Sequence, residues 1–196
     1  PNFTQSAISV SHFQGNYTDI NRSSGTSTLA VRGFDTENNT YVINAVNVTF
    51  WITQDGTNLF ATNTSTNSTG HASYVFDPSC SFDARRQTWY AGINDPCYVS
   101  TNASSLNVSV FANLKSSILV PNGERFANGS AISVRVNVTD DCDVGVNSSM
   151  VNITVNQSTL GYFCAPIQSN LTQGIYNCSW DSSGRNPGYY NVSAYL

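Results

Sequence analysis

Seventeen of the 24 asparagines in this 196-residue chain begin an Asn-x-Ser/Thr triplet, the acceptor sequence for N-linked glycans. In this chemistry the side-chain amide nitrogen of asparagine is bonded covalently to a sugar. Accidental matches in a composition of 27 Ser and 19 Thr would give only about five or six triplets. The excess therefore predicts a secreted, surface-exposed glycoprotein. The triplets begin at Asn2, Asn16, Asn21, Asn38, Asn47, Asn63, Asn67, Asn102, Asn107, Asn128, Asn137, Asn147, Asn152, Asn156, Asn170, Asn177 and Asn191.

Several of these acceptors alternate with apolar residues in segments that have the pattern of β-strands. Between residues 45 and 52, Val48 and Phe50 share one face of such a strand, and Asn47 lies on the other. Because one face of a sandwich sheet is buried, we expect the asparagine face to meet solvent. The same parity holds for Asn107, Asn137, Asn152, Asn156, Asn177 and Asn191.

The charge composition also favours an exported glycoprotein. Charged residues are 10% of the chain, against about 25% in typical domains. Attached sugars can supply the hydration that so few charges do not. The net charge of -4, without a basic cluster, argues against nucleic acid or an anionic membrane as partner. No apolar run approaches the roughly 20 residues of a membrane helix, and no signal peptide precedes Pro1. We therefore expect a mature or excised chain of the cell exterior with no membrane segment.

The five cysteines predict disulfide bonds formed in an oxidising compartment. They show no C-x-x-C spacing and have no neighbouring histidine, which argues against a zinc or redox site. The first predicted pair is Cys80 with Cys97, because both fall in the same half of the chain. The second is Cys164 with Cys178, across a predicted hairpin. Cys142 is either free or replaces one of these partners.

Short strand patterns separated by Gly, Asn and Pro predict an all-β protein with two tandem immunoglobulin-like sandwiches. The first domain spans residues 1–114 and includes an N-terminal extension. The second spans residues 115–196. Predicted strands cover residues 6–13, 26–34, 41–53, 58–64, 71–77, 87–93 and 104–113, then 117–120, 130–139, 149–156, 159–164, 174–180 and 188–196.

Two pairs of predicted strands carry a family resemblance. Gly70, Ala72, Tyr74, Phe76 and Pro78, followed by Thr88, Trp89, Tyr90 and Ala91, resemble strands of the Ig-like repeats in prokaryotic surface proteins, including archaeal ones and the invasin/intimin type. Gly174, Tyr176 and Trp180, then Gly188, Tyr189 and Val192, are similar to the same pair. The resemblance implies an extracellular stalk, adhesin or filament with no catalytic residues. The density of glycan acceptors favours an archaeal or eukaryotic protein over a bacterial adhesin.

Alignment of the two domains predicts that the second lacks its last strand. From Gly70 the first domain continues for 45 residues, to Leu114, whereas only 23 residues run from Gly174 to Leu196. The missing strand would leave unpaired backbone groups and an open apolar groove. One hypothesis is that residues near 3–13 of another copy, through Ile8 and Val10, fill this groove. Copies would then join head to tail, as in the donor-strand-linked thread and pilus filaments of archaea.

The alternatives are a fragment of a longer cell-surface adhesin or stalk, and a module that binds a protein or carbohydrate ligand. Enzymatic function is not expected, because His12 and His71 are isolated from nucleophile motifs. Asp140, Asp141 and Asp143 lack the ligand spacing of a calcium loop, so neither a metal nor a cofactor is expected. Trp89 and Trp180 are predicted to be core residues, whereas Trp51 shares the outward parity of the acceptors.

Overall fold

The computed structural model describes residues 4–43, 45–147, 149–170 and 174–196. The chain divides into two compact units, Pro1–Ala112 and Asn113–Leu196. The division falls two residues before the predicted boundary. Every regular element of the described residues is a β-strand, so the fold is all-β.

Unit 1 is a sandwich of two sheets. In one sheet β3 pairs with β1, β4 and β7, and in the other the order is β2-β10-β8-β5-β6, with β9 beside β8. All pairs are antiparallel except β2 with β10. The strands are β1 Ile8–Gln14, β2 Thr18–Asn21, β3 Ser27–Asp35, β4 Thr40–Tyr41, β5 Asn47–Thr53, β6 Leu59–Ser65, β7 His71–Phe76, β8 Arg86–Ile93, β9 Thr101–Asn102 and β10 Leu106–Phe111.

Alternating apolar residues of these strands form the core of unit 1. Val48, Phe50 and Ile52 of β5 are fully buried, as the strand parity predicts. Trp89 of β8 is also fully buried, and its indole Nε1 donates a hydrogen bond to the Gly15 carbonyl oxygen at 2.9 Å. This bond satisfies the one polar atom that the indole brings into the core.

Unit 2 is a smaller sandwich whose two sheets have the orders β11-β12-β16-β15 and β14-β13-β17. All of its strand pairs are antiparallel. The strands are β11 Lys115–Val120, β12 Ala131–Thr139, β13 Asn152–Gln157, β14 Leu160–Phe163, β15 Gln168–Asn170, β16 Ile175–Asp181 and β17 Asn191–Tyr195. Its core includes Trp180, which is 5% exposed and therefore buried as predicted.

Two glycines show which strands of the two units are equivalent. Gly70 precedes β7 with a φ of 78°, and Gly174 precedes β16 with a φ of 69°. The carbonyl oxygen of Gly70 accepts a hydrogen bond from Gly33 N on β3, and that of Gly174 accepts one from Val138 N on β12. Both glycines therefore lie in equivalent turns, each of which leads into an equivalent strand of its own unit. With this alignment β7 corresponds to β16, and β8 corresponds to β17.

The strand predictions differ from the structure at short, polar elements. The predicted strand 41–53 is in fact β4 and β5, separated by residues 42–46, of which Asn44 lies outside the described residues. β2, β9 and β15 were not predicted. β2 has a single buried apolar residue, Ile20, so its sequence has little strand signal.

Candidate glycan-bearing surfaces and an open sheet edge

The acceptor asparagines lie at the surface of both units. None of the fifteen whose side chains are described is buried. Asn2 and the side chain of Asn170 lie outside the described residues. This arrangement agrees with the parity predicted from the sequence, because their strand neighbours are in the core. Exposed acceptors are Asn38, Asn47, Asn63, Asn67, Asn102, Asn128, Asn152 and Asn191, and partly exposed ones are Asn16, Asn21, Asn107, Asn137, Asn147, Asn156 and Asn177.

Local hydrogen bonds orient the amide of two exposed acceptors. The Oδ1 atom of Asn67 accepts bonds from Thr69 N at 2.9 Å, Thr69 Oγ1 at 2.8 Å and His71 N at 3.1 Å. The Oδ1 atom of Asn63 accepts a bond from Thr49 Oγ1 at 2.7 Å. Because the oxygen of each amide is held by the protein, its nitrogen is directed away from these donors. The nitrogen is the atom to which a sugar is attached.

Asn38 has the opposite arrangement. Its Nδ2 atom donates to Asp35 Oδ2 at 2.8 Å and to Ser6 Oγ at 3.4 Å. The Asp35 side chain is buried, and the hydrogen bonds from Asn38 lower the pKa of its carboxyl group below the ordinary value. A sugar on Asn38 would replace one of the two N–H groups that make these bonds. Asn38 is therefore less suited to glycosylation than Asn63 or Asn67.

One disulfide bond staples the two sheets of unit 2. Cys164 follows β14 in one sheet, Cys178 lies on β16 in the other, and their Cα atoms are 5.8 Å apart. This is the second of the predicted pairs. Both residues are buried in the core of the unit. The bond therefore crosses the sandwich, in addition to spanning the predicted hairpin that β15 and β16 form.

The predicted bridge between Cys80 and Cys97 is wrong. Cys97 is a free, exposed thiol, whereas Cys80 and Cys142 are each disulfide-bonded. The loop that contains Cys80 is held at the start of β8, where Asp83 N donates to Gln54 O. Cys97 follows the other end of β8. Eight strand residues span about 26 Å, well beyond the roughly 7 Å that a disulfide permits between Cα atoms.

The edge strand β17 of unit 2 has one unpaired, open edge, and β11 lies near the strand without pairing with it. β17 pairs with β13, and no strand within the described part of the unit pairs with its other edge. In unit 1 the corresponding strand, β8, lies between β5 and β10. Val192 and Ala194 of β17 pack against the core but stay partly exposed, whereas Ala91 and Ile93 of β8 are buried. β17 is therefore less covered than β8.

The predicted donor segment lies in its own sandwich. β1 pairs with β3 along its length, so that Ile8 is buried and Val10 packs against the core. Ser6 N also donates to Cys97 O, and Val99 N donates to Ser6 O, both at 3.0 Å. These bonds attach the chain before β1 to the loop after β8. In this structure the segment is therefore the first strand of unit 1.

The outer face of the larger sheet of unit 1 carries a stacked aromatic pair. Trp51 on β5 and Tyr90 on β8 are cross-strand partners, with ring centroids 5.0 Å apart and planes inclined by 20°. Both residues are partly exposed. The outward position of Trp51 agrees with its parity in the sequence.

The acidic loop of unit 2 has the contacts of a turn. Asp140 is buried, and its Oδ1 atom accepts hydrogen bonds from Cys142 N and Val144 N, both at 2.9 Å. Ligand atoms of Asp140, Asp141 and Cys142 lie within 4.8 Å of one another. However, Cys142 is disulfide-bonded and offers no thiolate to a metal. Asp143 instead lies 3.6 Å from the Lys115 ammonium, in an exposed pair that stabilises the fold little.

The two histidines take part in packing at the surface of unit 1. His71 Nδ1 lies 2.9 Å from Thr69 Oγ1, and its ring contacts Phe13 edge-on. His12 lies on β1, with its ring centroid 6.0 Å from that of Trp89. Among the described residues, no helix is long and apolar enough to cross a membrane.

Comparisons with known proteins find similar folds at low sequence identity. No family model and no curated protein matches the chain. It is similar to a tetra-tandem repeat in the extending region of a large adhesion protein, at 13% identity and a TM-score of 0.49, over 95% of this chain and 49% of that one. It is also similar to a marsupial T cell receptor, at 9% identity and a TM-score of 0.42, over 94% of this chain and 66% of the receptor. Fibronectin(III)-like modules of Clostridium thermocellum CbhA match at 12% identity and a TM-score of 0.33, over 95% of this chain and 84% of the modules. The chain spans about half the length of the adhesion-protein repeat structure.

Proposed function

We propose that this chain is a heavily N-glycosylated, extracellular structural protein whose copies join head to tail into a filament. The observation that carries the glycoprotein part is the surface position of every acceptor asparagine whose side chain is described. The number of triplets supports it further, because seventeen are present where chance gives about five or six. Attached sugars also explain how a chain with 10% charged residues stays hydrated. Disulfide bonds favour an oxidising exterior as its location.

The open edge of β17 supports the assembly part of the proposal. An exposed sheet edge offers unpaired backbone groups to a strand from another chain. A strand added there would lie beside Val192 and Ala194, as β9 and β10 together lie beside β8 in unit 1. Full burial of an exposed valine contributes about 1.5–3 kcal/mol, and the partly buried Val192 would gain a fraction of this.

The proposed donor is β1 of a neighbouring copy. Within the described part of the chain β1 is an edge strand that pairs with β3, and Ile8 is the one buried residue among its seven. It can therefore leave unit 1 at a smaller cost than a central strand. Donation from the first unit of one copy to the second unit of the next is heterologous and does not close, so it propagates as a fibre.

A second candidate is a module of a longer cell-surface adhesin or stalk. The pairing of β1 with β3 in its own sandwich favours this candidate, because that donor is already in use. The strand that completes unit 2 would then be supplied by another part of the longer protein. A ligand-binding role, for protein or carbohydrate, belongs to this second candidate.

Peptide mapping of the native protein by mass spectrometry tests the glycoprotein part. Most acceptor asparagines should carry sugar, and a protein with bare asparagines throughout would refute the proposal.

Electron microscopy with cysteine crosslinking tests the assembly part. In a Cys97→Ser background, Ser9→Cys on β1 and Tyr195→Cys on β17 should give a ladder of disulfide-linked multimers and regular fibres. The matched control joins Ser9→Cys with Ser133→Cys, an exposed position on β12 away from the open edge. Dispersed monomers without a ladder would instead favour the longer-adhesin candidate.

A further inference from the structure

We propose that the sugar attached to Asn63 stacks on the open face of the Trp51 indole ring. The stacked pair of Trp51 and Tyr90 would then bind the chain's own glycan. The inference rests on the proposed glycosylation and adds to it a specific contact between sugar and protein. It is carried by the register of three neighbouring strands, β6, β5 and β8, in unit 1.

One face of the indole is covered and the other is open. Tyr90 stacks on Trp51 from the β8 side at 5.0 Å. On the β6 side the cross-strand partner of Trp51 is Ala61. The single methyl group of alanine is too small to cover an indole ring. The face of Trp51 turned towards β6 therefore has room for a further planar group.

Asn63 lies beside this open face. It pairs with Thr49 across β5 and β6, which places it diagonally next to Trp51. Diagonal neighbours on one face of a sheet are about 7 Å apart, within reach of a long side chain or a sugar linked to a short one. The bond from Thr49 Oγ1 to Asn63 Oδ1 holds the amide oxygen on the β5 side of the residue. Asn63 is exposed, and its Nδ2 atom makes no hydrogen bond to another described residue.

The chemistry of a pyranose suits this site. One face of such a ring presents several C–H groups, which pack on the electron-rich face of an aromatic ring. Two other acceptors, Asn102 and Asn107, are diagonal neighbours of Tyr90 through their pairing with Gly92 and Thr88. Glycan acceptors thus surround the aromatic pair on both sides. A sugar held over Ala61 would also cover β6, which is an edge strand, and hinder pairing with other chains.

Tryptophan fluorescence gives a direct test, because Trp51 is the only one of the three tryptophans that is not buried. Ser65→Ala removes the Asn63 acceptor triplet and keeps the Asn63 side chain and its bond to Thr49. In the native glycoprotein this substitution should raise the acrylamide quenching constant about twofold, because the indole loses its cover. The matched control is Thr69→Ala, which removes the Asn67 triplet before β7 of the other sheet and should leave quenching unchanged. Trp51→Phe should abolish the response to Ser65→Ala.

Peptide mapping separates failure of this inference from failure of the proposed function. If Asn63 is bare while other acceptors carry sugar, the stacking inference is overturned and the glycoprotein proposal stands. The same holds if Asn63 is occupied but Ser65→Ala leaves quenching unchanged. If no acceptor carries sugar, both proposals fail. The contact is supported if Asn63 carries sugar and if quenching increases in the Ser65→Ala variant but not in the control variant.

Discussion

Removal of the Cys164–Cys178 bond should destabilise unit 2 by at least about 3 kcal/mol. The bond closes a loop with a sequence separation of 14, for which loop entropy gives about 3 kcal/mol. In the double variant Cys164→Ala/Cys178→Ala, the lost sulfur atoms also leave a void, because both residues are buried. Such voids add to the loss at about 24 cal/mol per Å³ of unfilled volume.

Amide hydrogen exchange measures this loss in each unit separately. β12 and β16 pair at seven positions across the centre of one sheet, so their amides report on the opening of unit 2. A loss of 3 kcal/mol should speed their exchange by about 100-fold. Exchange of β5 and β8 in unit 1 should not change. Cys97→Ala is the matched control, because an exposed free thiol contributes within about 0.5 kcal/mol.

A loss below about 1 kcal/mol would refute the loop-entropy reasoning. Equal acceleration of exchange in both units would show that the bond does not act through the sandwich that contains it.

Three further predictions concern single residues and pH. Trp89→Phe removes the hydrogen bond to Gly15 O and some buried volume, so it should lower the free energy of unfolding in denaturant by about 2–4 kcal/mol. Trp51→Phe in the unglycosylated protein should lower it by under about 0.5 kcal/mol, and equal losses would contradict the core position of Trp89. Gly174→Ala should cost more than Gly184→Ala, because both have positive φ but only at Gly174 would a Cβ meet the Val138 carbonyl oxygen; equal losses in the same assay would contradict the steric argument. Hydrogen bonds from Asn38, Asn58 and Ser183 lower the pKa of the carboxyl groups of Asp35, Asp55 and Asp181 respectively. The stability that these carboxylates add is fully present above the ordinary pKa near 3.8 and is lost as pH falls through the lowered pKa values. An unfolding midpoint that rises as the pH is lowered from 5 to 2 would contradict this sign.

The outward position of the acceptors could be predicted from the sequence because it depends on local alternation. Asn47 lies between Val46 and Val48, and a strand must direct such neighbours to opposite faces wherever it lies in the fold. The same local rule placed Trp51 on the outer face. It needs no knowledge of the pairing partner.

The pairing of distant segments could not be predicted in this way. β2 has little apolar signal and exists through parallel pairing with β10, almost ninety residues later. Cys80 and Cys97 are close in sequence, but β8 separates them in space. The unpaired edge of β17 is an intermediate case. The shorter run of residues after Gly174 is visible in the sequence, whereas the unpaired strand edge is visible only in the sheet order.

The sequence by itself determined the all-β class, the two units, the surface position of the glycan acceptors and the pairing of Cys164 with Cys178. These properties follow from composition, alternation and short separations along the chain. Tertiary structure alone decided that Asn38 donates to buried Asp35, that Cys97 stays free, and that Asn63 lies beside the open face of Trp51. The last two depend on which strands lie side by side and in which register, and packing of the whole core sets that arrangement; the first depends on the conformation of one turn, which composition and alternation do not specify.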